Sequence, residues 1–153
     1  MPRDEFRCAH RLRVRWAEVD MQKIVFNAHY LTYIDTALAD YWREIGLAYP
    51  ERYVAQYGMD VFLRKADIDY LGSARYDDQL SVLCRTARLG RSSLTLRFEI
   101  WRDEPPDPLP LVNADLVYVN VNVQSMRPEL LPDEVRTRVR GYERTAPIEH
   151  TNT

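Results

Sequence analysis

Apolar and polar positions along this chain switch between two periods. Residues 8–19 alternate, with Leu12, Val14 and Trp16 on one face and Arg11, Arg13 and Arg15 on the other, which predicts a half-buried strand. Residues 20–28 read as a connection. From 29 to 45 the period lengthens: Tyr30, Tyr33, Ile34, Ala37, Leu38, Tyr41, Trp42 and Ile45 recur at helical spacing, and Gly46 is placed to end the helix. A short helical turn is predicted over 50–57, opening on Pro50 and closing at Gly58. Strands follow over 61–70, 79–89, 92–102 and 111–123. Gly90 with Arg91 marks a tight hairpin turn between the second and third of these. The last strand sets Leu116, Tyr118 and Asn120 against Val117, Val119 and Val121. Residues 103–110 hold four prolines and three acids and are expected to loop over the surface. A closing helix is expected over 132–140 with Gly141 at its end, and the polar tail after Tyr142 is expected to fray.

A strand, a long helix and then about four antiparallel strands make an α+β chain. The helix stripe needs a surface to lie on, and a curved antiparallel sheet supplies one. At 153 residues the chain suits a single domain, 1–153, with 143–153 as a flexible tail. A net charge of −2 removes any bulk attraction to nucleic acid. The basic charge is nearly all arginine, with Lys23 and Lys65 the only lysines. Cys8 and Cys84 fall in separate predicted strands, too few for a disulfide framework and not clustered as metal ligands are. The N-terminus is charged, without the apolar segment of a signal peptide, and no apolar run approaches the ~20 residues that span a bilayer. A cytoplasmic location is expected.

The candidate chemistry lies where strand meets helix, in VRWAEVDMQKIVFNAHY. Asp20 follows the strand; Asn27 and His29 precede or open the helix. A carboxylate near a helix N-terminus can attack, or activate water against, a carbonyl whose oxygen is polarised by the free backbone N–H groups of that helix. Taken alone, Asp20 also suits a turn and Asn27 suits a helix cap. His29 reads as a surface residue at the helix start, and Glu18 as a secondary group that tunes Asp20 or pairs with a nearby arginine.

Trp16, Glu18, Asp20, Ile24, Val25, Phe26, Asn27 and Tyr30 fall in order and without gaps on the N-terminal motif of the hotdog-fold acyl-CoA thioesterases of the 4-hydroxybenzoyl-CoA thioesterase type, which this chain resembles. Looser agreement in length and strand order extends over roughly residues 8–142. The resemblance implies the hotdog fold, a long central helix wrapped by a curved antiparallel sheet of about five strands. It implies hydrolysis of an acyl-CoA to free acid and CoA, with Asp20 as nucleophile or general base and the backbone N–H of Asn27 as oxyanion donor. It implies no metal and no cofactor, CoA being part of the substrate, and a homodimer or a dimer of dimers with sites at the junction of two protomers.

One position departs from the pattern: many relatives carry glycine three residues after the aspartate, where this chain has Lys23. Either the turn is built differently or Lys23 takes a left-handed form, and its ammonium becomes a candidate for substrate anions. Tyr30 is a further candidate for substrate contact. For the CoA phosphates the candidates are Arg88, Arg91 and Ser92 around the Gly90 turn, with Arg64 and Lys65 as a second pair. The alternatives are a non-catalytic acyl-thioester-binding hotdog protein and a thioesterase acting on acyl carrier protein. A hotdog hydratase fits less well, because Ile24 and Val25 stand where its histidine belongs.

Overall fold

The computed structural model describes residues 3–104 and 106–150. Strand β1 (Cys8–Arg13) leads through a 3-10 turn (Trp16–Glu18) and a loop to helix α1 (His29–Glu44) and a short helix α2 (Tyr53–Tyr57). Four long strands follow, β2 (Met59–Tyr70), β3 (Gln79–Leu89), β4 (Ser93–Arg102) and β5 (Leu109–Asn122). Helix α3 (Asp133–Tyr142) and a two-residue strand β6 (Ile148–Glu149) close the chain. The sheet runs β1-β3-β4-β5-β2, all neighbours antiparallel, with β6 added parallel to β3. A long helix wrapped by an antiparallel sheet is the α+β hotdog arrangement that the resemblance implied.

Helix α1 forms where the apolar stripe predicts it and buries Tyr30, Tyr33, Ile34, Ala37, Leu38, Tyr41 and Trp42. Each large side chain taken out of water there contributes about 1.5–3 kcal/mol. Their partners are the inward positions of the sheet, among them Leu80, Val82, Leu94, Leu96, Phe98 and Leu116, in one continuous core. The helix ends as expected at Gly46, whose φ of +83° lets Leu47 donate back to the Trp42 carbonyl (2.9 Å). A side chain at Gly46 would also collide with the Arg138 guanidinium. The helix leans toward β1 and β3. Strand β2 is left as a sheet edge with Phe62, Leu63, Arg64, Lys65, Ala66 and Asp67 exposed.

Four sequence expectations are corrected. The strand over 8–19 stops at Arg13, and the 3-10 turn swings Trp16 out to 79% exposure instead of into the core. Gly141 lies inside α3 instead of ending it. Leu109 and Pro110 belong to β5, which shortens the loop expected over 103–110; position 105 lies outside the described residues. The tail after Tyr142 does not fray at once: Glu143 is half-buried, Pro147 is buried and β6 pairs with Arg88 and Leu89. Residues 151–153 of that expected tail lie outside the described residues.

The first and last segments interlock. Arg7 donates to the Tyr142 carbonyl (3.0 Å) and Arg144 to the Asp4 carbonyl (2.8 Å). On the edge of β3 that carries β1 and β6, β1 pairs as far as Cys84 and β6 takes over at Arg88, and the gap between them is filled by a carboxylate. Glu143 Oε2 accepts from the Thr86 backbone N–H (2.8 Å) and from the Tyr41 hydroxyl (3.4 Å), which also bonds Thr86 Oγ1 (2.7 Å). Glu143 Oε1 is buried without a hydrogen-bond partner among the described residues. Burial pushes the Glu143 carboxyl up to about 7, against the opposing pull of the Thr86 N–H, Arg85, Tyr41 and Arg7.

Candidate active site

The segment from Arg15 to Tyr30 is a compact structure held by its own backbone. Val19 and Val25 form an isolated antiparallel bridge, Asp20 N donates to the Ile24 carbonyl (3.0 Å) and Phe26 N to the Glu18 carbonyl (3.0 Å). Lys23 N donates to the Asp20 carbonyl (2.9 Å), closing a turn in which Lys23 has φ of +65°. The lysine therefore takes the left-handed form itself, at about 1–2 kcal/mol relative to glycine. One Asp20 carboxylate oxygen, Oδ1, accepts from Gln22 N (2.8 Å), which fixes the side chain against its own turn.

The Asp20 carboxylate lines a concavity of about 710 Å³ together with Trp16, Ala17, Val19, Met21, Lys23 and Tyr76. Trp16 and Tyr76 meet edge to face at 5.9 Å and Met21 is fully exposed, so the wall is apolar and open. Asp20 has no ion pair among the described residues.

Glu18 is a structural acid. Its carboxylate accepts from the Arg15 N–H (2.7 Å) and the Tyr33 hydroxyl (2.9 Å) and pairs with the Arg15 guanidinium (3.2 Å). Burial would raise its pKa, but these bonds outweigh it and hold the carboxyl below the usual range. Burial pushes the Tyr33 hydroxyl up, and its bond to the Glu18 carboxylate adds to this.

Asn27 is exposed and stands one residue before the helix cap, which is Ala28 and has no side-chain cap bond. The expected capping role of the Asn27 amide is therefore not what the structure shows. Among the described residues, neither the Asn27 nor the Ala28 backbone N–H has an acceptor, so two donors stand open at the head of α1. The Asp20 carboxylate and the Asn27 amide do not bond each other. His29 opens the helix and packs edge to face on Phe26 at 6.0 Å.

Tyr30 is 2% exposed, and its hydroxyl accepts from the Ala74 N–H (2.9 Å), tying α1 to the loop after β2. It does not line the Asp20 concavity. Arg88, Arg91 and Ser92 do not gather there either. Arg91 and Ser92 line a shallow hollow with Pro128, Glu129 and Leu130, whereas Arg88 contacts His150 and faces a separate one with Arg85 and Arg97. These groups sit at the far end of β3: Asp20 belongs to the end where Val14 bonds Asp77 and Asp78, and eleven residues of strand put about 35 Å between the ends. Tyr76, which sequence reasoning missed, is carried into the wall by the turn before β3.

Among the described residues no group of three or more His, Cys, Asp or Glu is placed to hold a metal ion, and no helix is long and apolar enough to cross a membrane.

Residues 22–108 match the model of the thioesterase superfamily, a span that includes Asn27 and Tyr30 and begins just after Asp20. A putative esterase of Aquifex aeolicus is 27% identical over 95 residues, 62% of this chain and 73% of its own length. Among solved structures, a hypothetical protein of Aquifex aeolicus superimposes with a TM-score of 0.76 at 24% identity, covering 86% of this chain and 98% of its own. The 1,4-dihydroxy-2-naphthoyl-CoA thioesterase of Synechocystis does so with a TM-score of 0.75 at 19% identity, covering 86% and 93%.

Proposed function

Because the chain belongs to the thioesterase superfamily and is thereby a thioester hydrolase, we propose that it hydrolyses an acyl-CoA to the free acid and CoA with Asp20 as its acting carboxylate. The observation that carries this is the Asp20 side chain, fixed by the Gln22 N–H, without an ion pair among the described residues, on the wall of an apolar concavity. Two balanced routes fit that placement. In one, a carboxylate oxygen attacks the thioester carbon, the C–S bond breaks and CoA leaves as thiolate; water then cleaves the resulting anhydride and regenerates Asp20. In the other, Asp20 takes a proton from water, whose oxygen forms the new C–O bond as the C–S bond breaks. In both, negative charge grows on the carbonyl oxygen, and the open N–H groups of Asn27 and Ala28 are the donors this protein offers to it. The reaction needs no metal or cofactor, because a CoA thiolate is a good leaving group. A cytoplasmic location accords with a CoA substrate.

The same reading includes a homodimer, alone or as half of a dimer of dimers, built by pairing two β2 edges. A twelve-residue edge strand with its backbone uncovered favours such pairing. A continuous sheet with both helices on one face requires antiparallel pairing of the two β2 strands. That turns the partner end for end, so the partner's Gly90 turn arrives at the end of the sheet where the first protomer holds Asp20.

The test is thiol release from acyl-CoAs running from acetyl to palmitoyl, with benzoyl-CoA, for wild type beside Asp20→Ala. Turnover that falls at least about a hundredfold in the variant is expected. Turnover retained in the variant would move the chemistry away from Asp20, and no turnover with any wild-type pairing would point to carrier-protein thioesters or to binding without catalysis.

A further inference from the structure

The Asp20 concavity has apolar walls and two charges, Asp20 itself and Lys23. This combination limits what enters. A carboxylate that must approach a substrate carbon repels any substrate with an anionic group nearby, unless a cation on the same wall offsets it. Lys23 is such a cation: exposed, without an ion pair among the described residues, and lining the same space. Its backbone is the second observation. With φ of +65°, the position suits glycine, and among the described residues the exposed lysine side chain makes no ion pair or hydrogen bond that offsets the cost of holding it there.

Resting on the thioesterase reading above, we propose that Lys23 is a specificity-determining residue that pairs with an anionic oxygen group of the substrate as the thioester carbon reaches Asp20. That group is either a carboxylate on the acyl part or a phosphate on the thiol carrier. The apolar stretch between the charges, walled by Trp16, Met21 and Tyr76, takes the uncharged methylene or ring segment between the anion and the thioester. Lys23 thus makes an anion-bearing thioester acceptable to a carboxylate enzyme that would otherwise disfavour it.

The experiment compares wild type, Lys23→Gly and Lys23→Arg on matched thioesters: glutaryl against valeryl and adipoyl against hexanoyl, each on CoA and on N-acetylcysteamine, which has no phosphate. Lys23→Gly relieves the left-handed strain, so lost activity in it is not lost folding, and thermal melting checks this. The expected result is a fall of about tenfold in the preference for the anion-bearing member of a pair, mostly through KM, with Lys23→Arg recovering most of it. A fall confined to glutaryl and adipoyl thioesters on both carriers assigns the anion to the acyl group. A fall confined to CoA thioesters, whatever their acyl group, assigns it to phosphate. Unchanged preferences in Lys23→Gly, or an equal loss on all thioesters including valeryl-N-acetylcysteamine, overturns the proposal. Should wild type release no thiol at all, the thioesterase reading fails separately. Calorimetric binding of CoA and of glutarate then decides on Lys23: weaker binding to Lys23→Gly sustains it, and equal or absent binding refutes it.

Discussion

Replacing Glu143 with glutamine is expected to stabilise the protein at pH 8 and to change little at pH 5. Burial in the gap between β1 and β6 raises this carboxyl from 4.5 to about 7. A raised acid holds its proton in the folded chain where the unfolded chain has released it. Its contribution to stability is therefore fully present below about pH 4.5 and is lost as pH rises through about 7. The full shift corresponds to about 3 kcal/mol at 1.4 kcal/mol per unit. The side chain is only half-buried, and solvent screening reduces this to about 2 kcal/mol. Glutamine keeps the shape, accepts from the Thr86 N–H and never ionises, so it removes the loss. Urea unfolding of both proteins at pH 5, 6, 7 and 8, at one protein concentration, reads the difference; about 2 kcal/mol at pH 8 corresponds to roughly 4–8 °C in Tm. A pH-independent difference between the two proteins, or a variant weaker than wild type at pH 8, would refute the reasoning. Either outcome would mean that the ionised carboxylate is held by Thr86, Arg85 and Arg7 more firmly than burial opposes it.

The remaining expectations are shorter. Asp20→Ala loses at least about a hundredfold in thiol release while its melting temperature stays near that of wild type. Lys23→Gly melts higher than wild type because a left-handed lysine becomes a glycine, by up to about 1–2 kcal/mol of stability; a lower melting point would show that the lysine side chain is packed. Phe62→Asp combined with Leu63→Asp puts two charges on the exposed β2 edge and turns a dimer into monomers in sedimentation, whereas an unchanged mass would place the interface elsewhere. Tyr30→Phe leaves the Ala74 N–H without its acceptor and costs about 1–3 kcal/mol of stability, with KM unchanged; a raised KM at normal stability would restore Tyr30 to the substrate site.

Much of the sheet and the whole of α1 were legible because their sides face different surroundings. Tyr30 to Trp42 recur with the helix period since only one face meets the sheet, and Leu116, Tyr118 and Asn120 alternate for the same reason on β5. What escaped is what depends on partners far along the chain. Trp16 continues the alternation of β1, yet Glu18 draws Arg15 into a 3-10 turn, and the Val19–Val25 bridge turns the chain away before Trp16 can pack. Glu143 and β6 carry no periodic pattern at all; they are placed by an uncovered Thr86 N–H some 57 residues earlier. Asp20 was legible through an ordered motif, and the left-handed lysine beside it through a missing glycine. The burial of Tyr30 was not legible, because an aromatic beside a candidate site and an aromatic in the core have the same spacing. Arg88, Arg91 and Ser92 were legible as a cluster around the Gly90 turn, but where that turn stands relative to Asp20 depends on strand lengths that chemistry alone does not give.

The clasp between the two ends of the chain bears on what can be attached to this protein. β1 and β6 lie along the same strand, β3, and Arg144 reaches across to Asp4, so both ends of the described chain leave from one side of the molecule. The β2 edge is at the other side of the sheet. A tag, a tethering linker or a whole fused domain added at either end would hang clear of that edge and leave it free to associate.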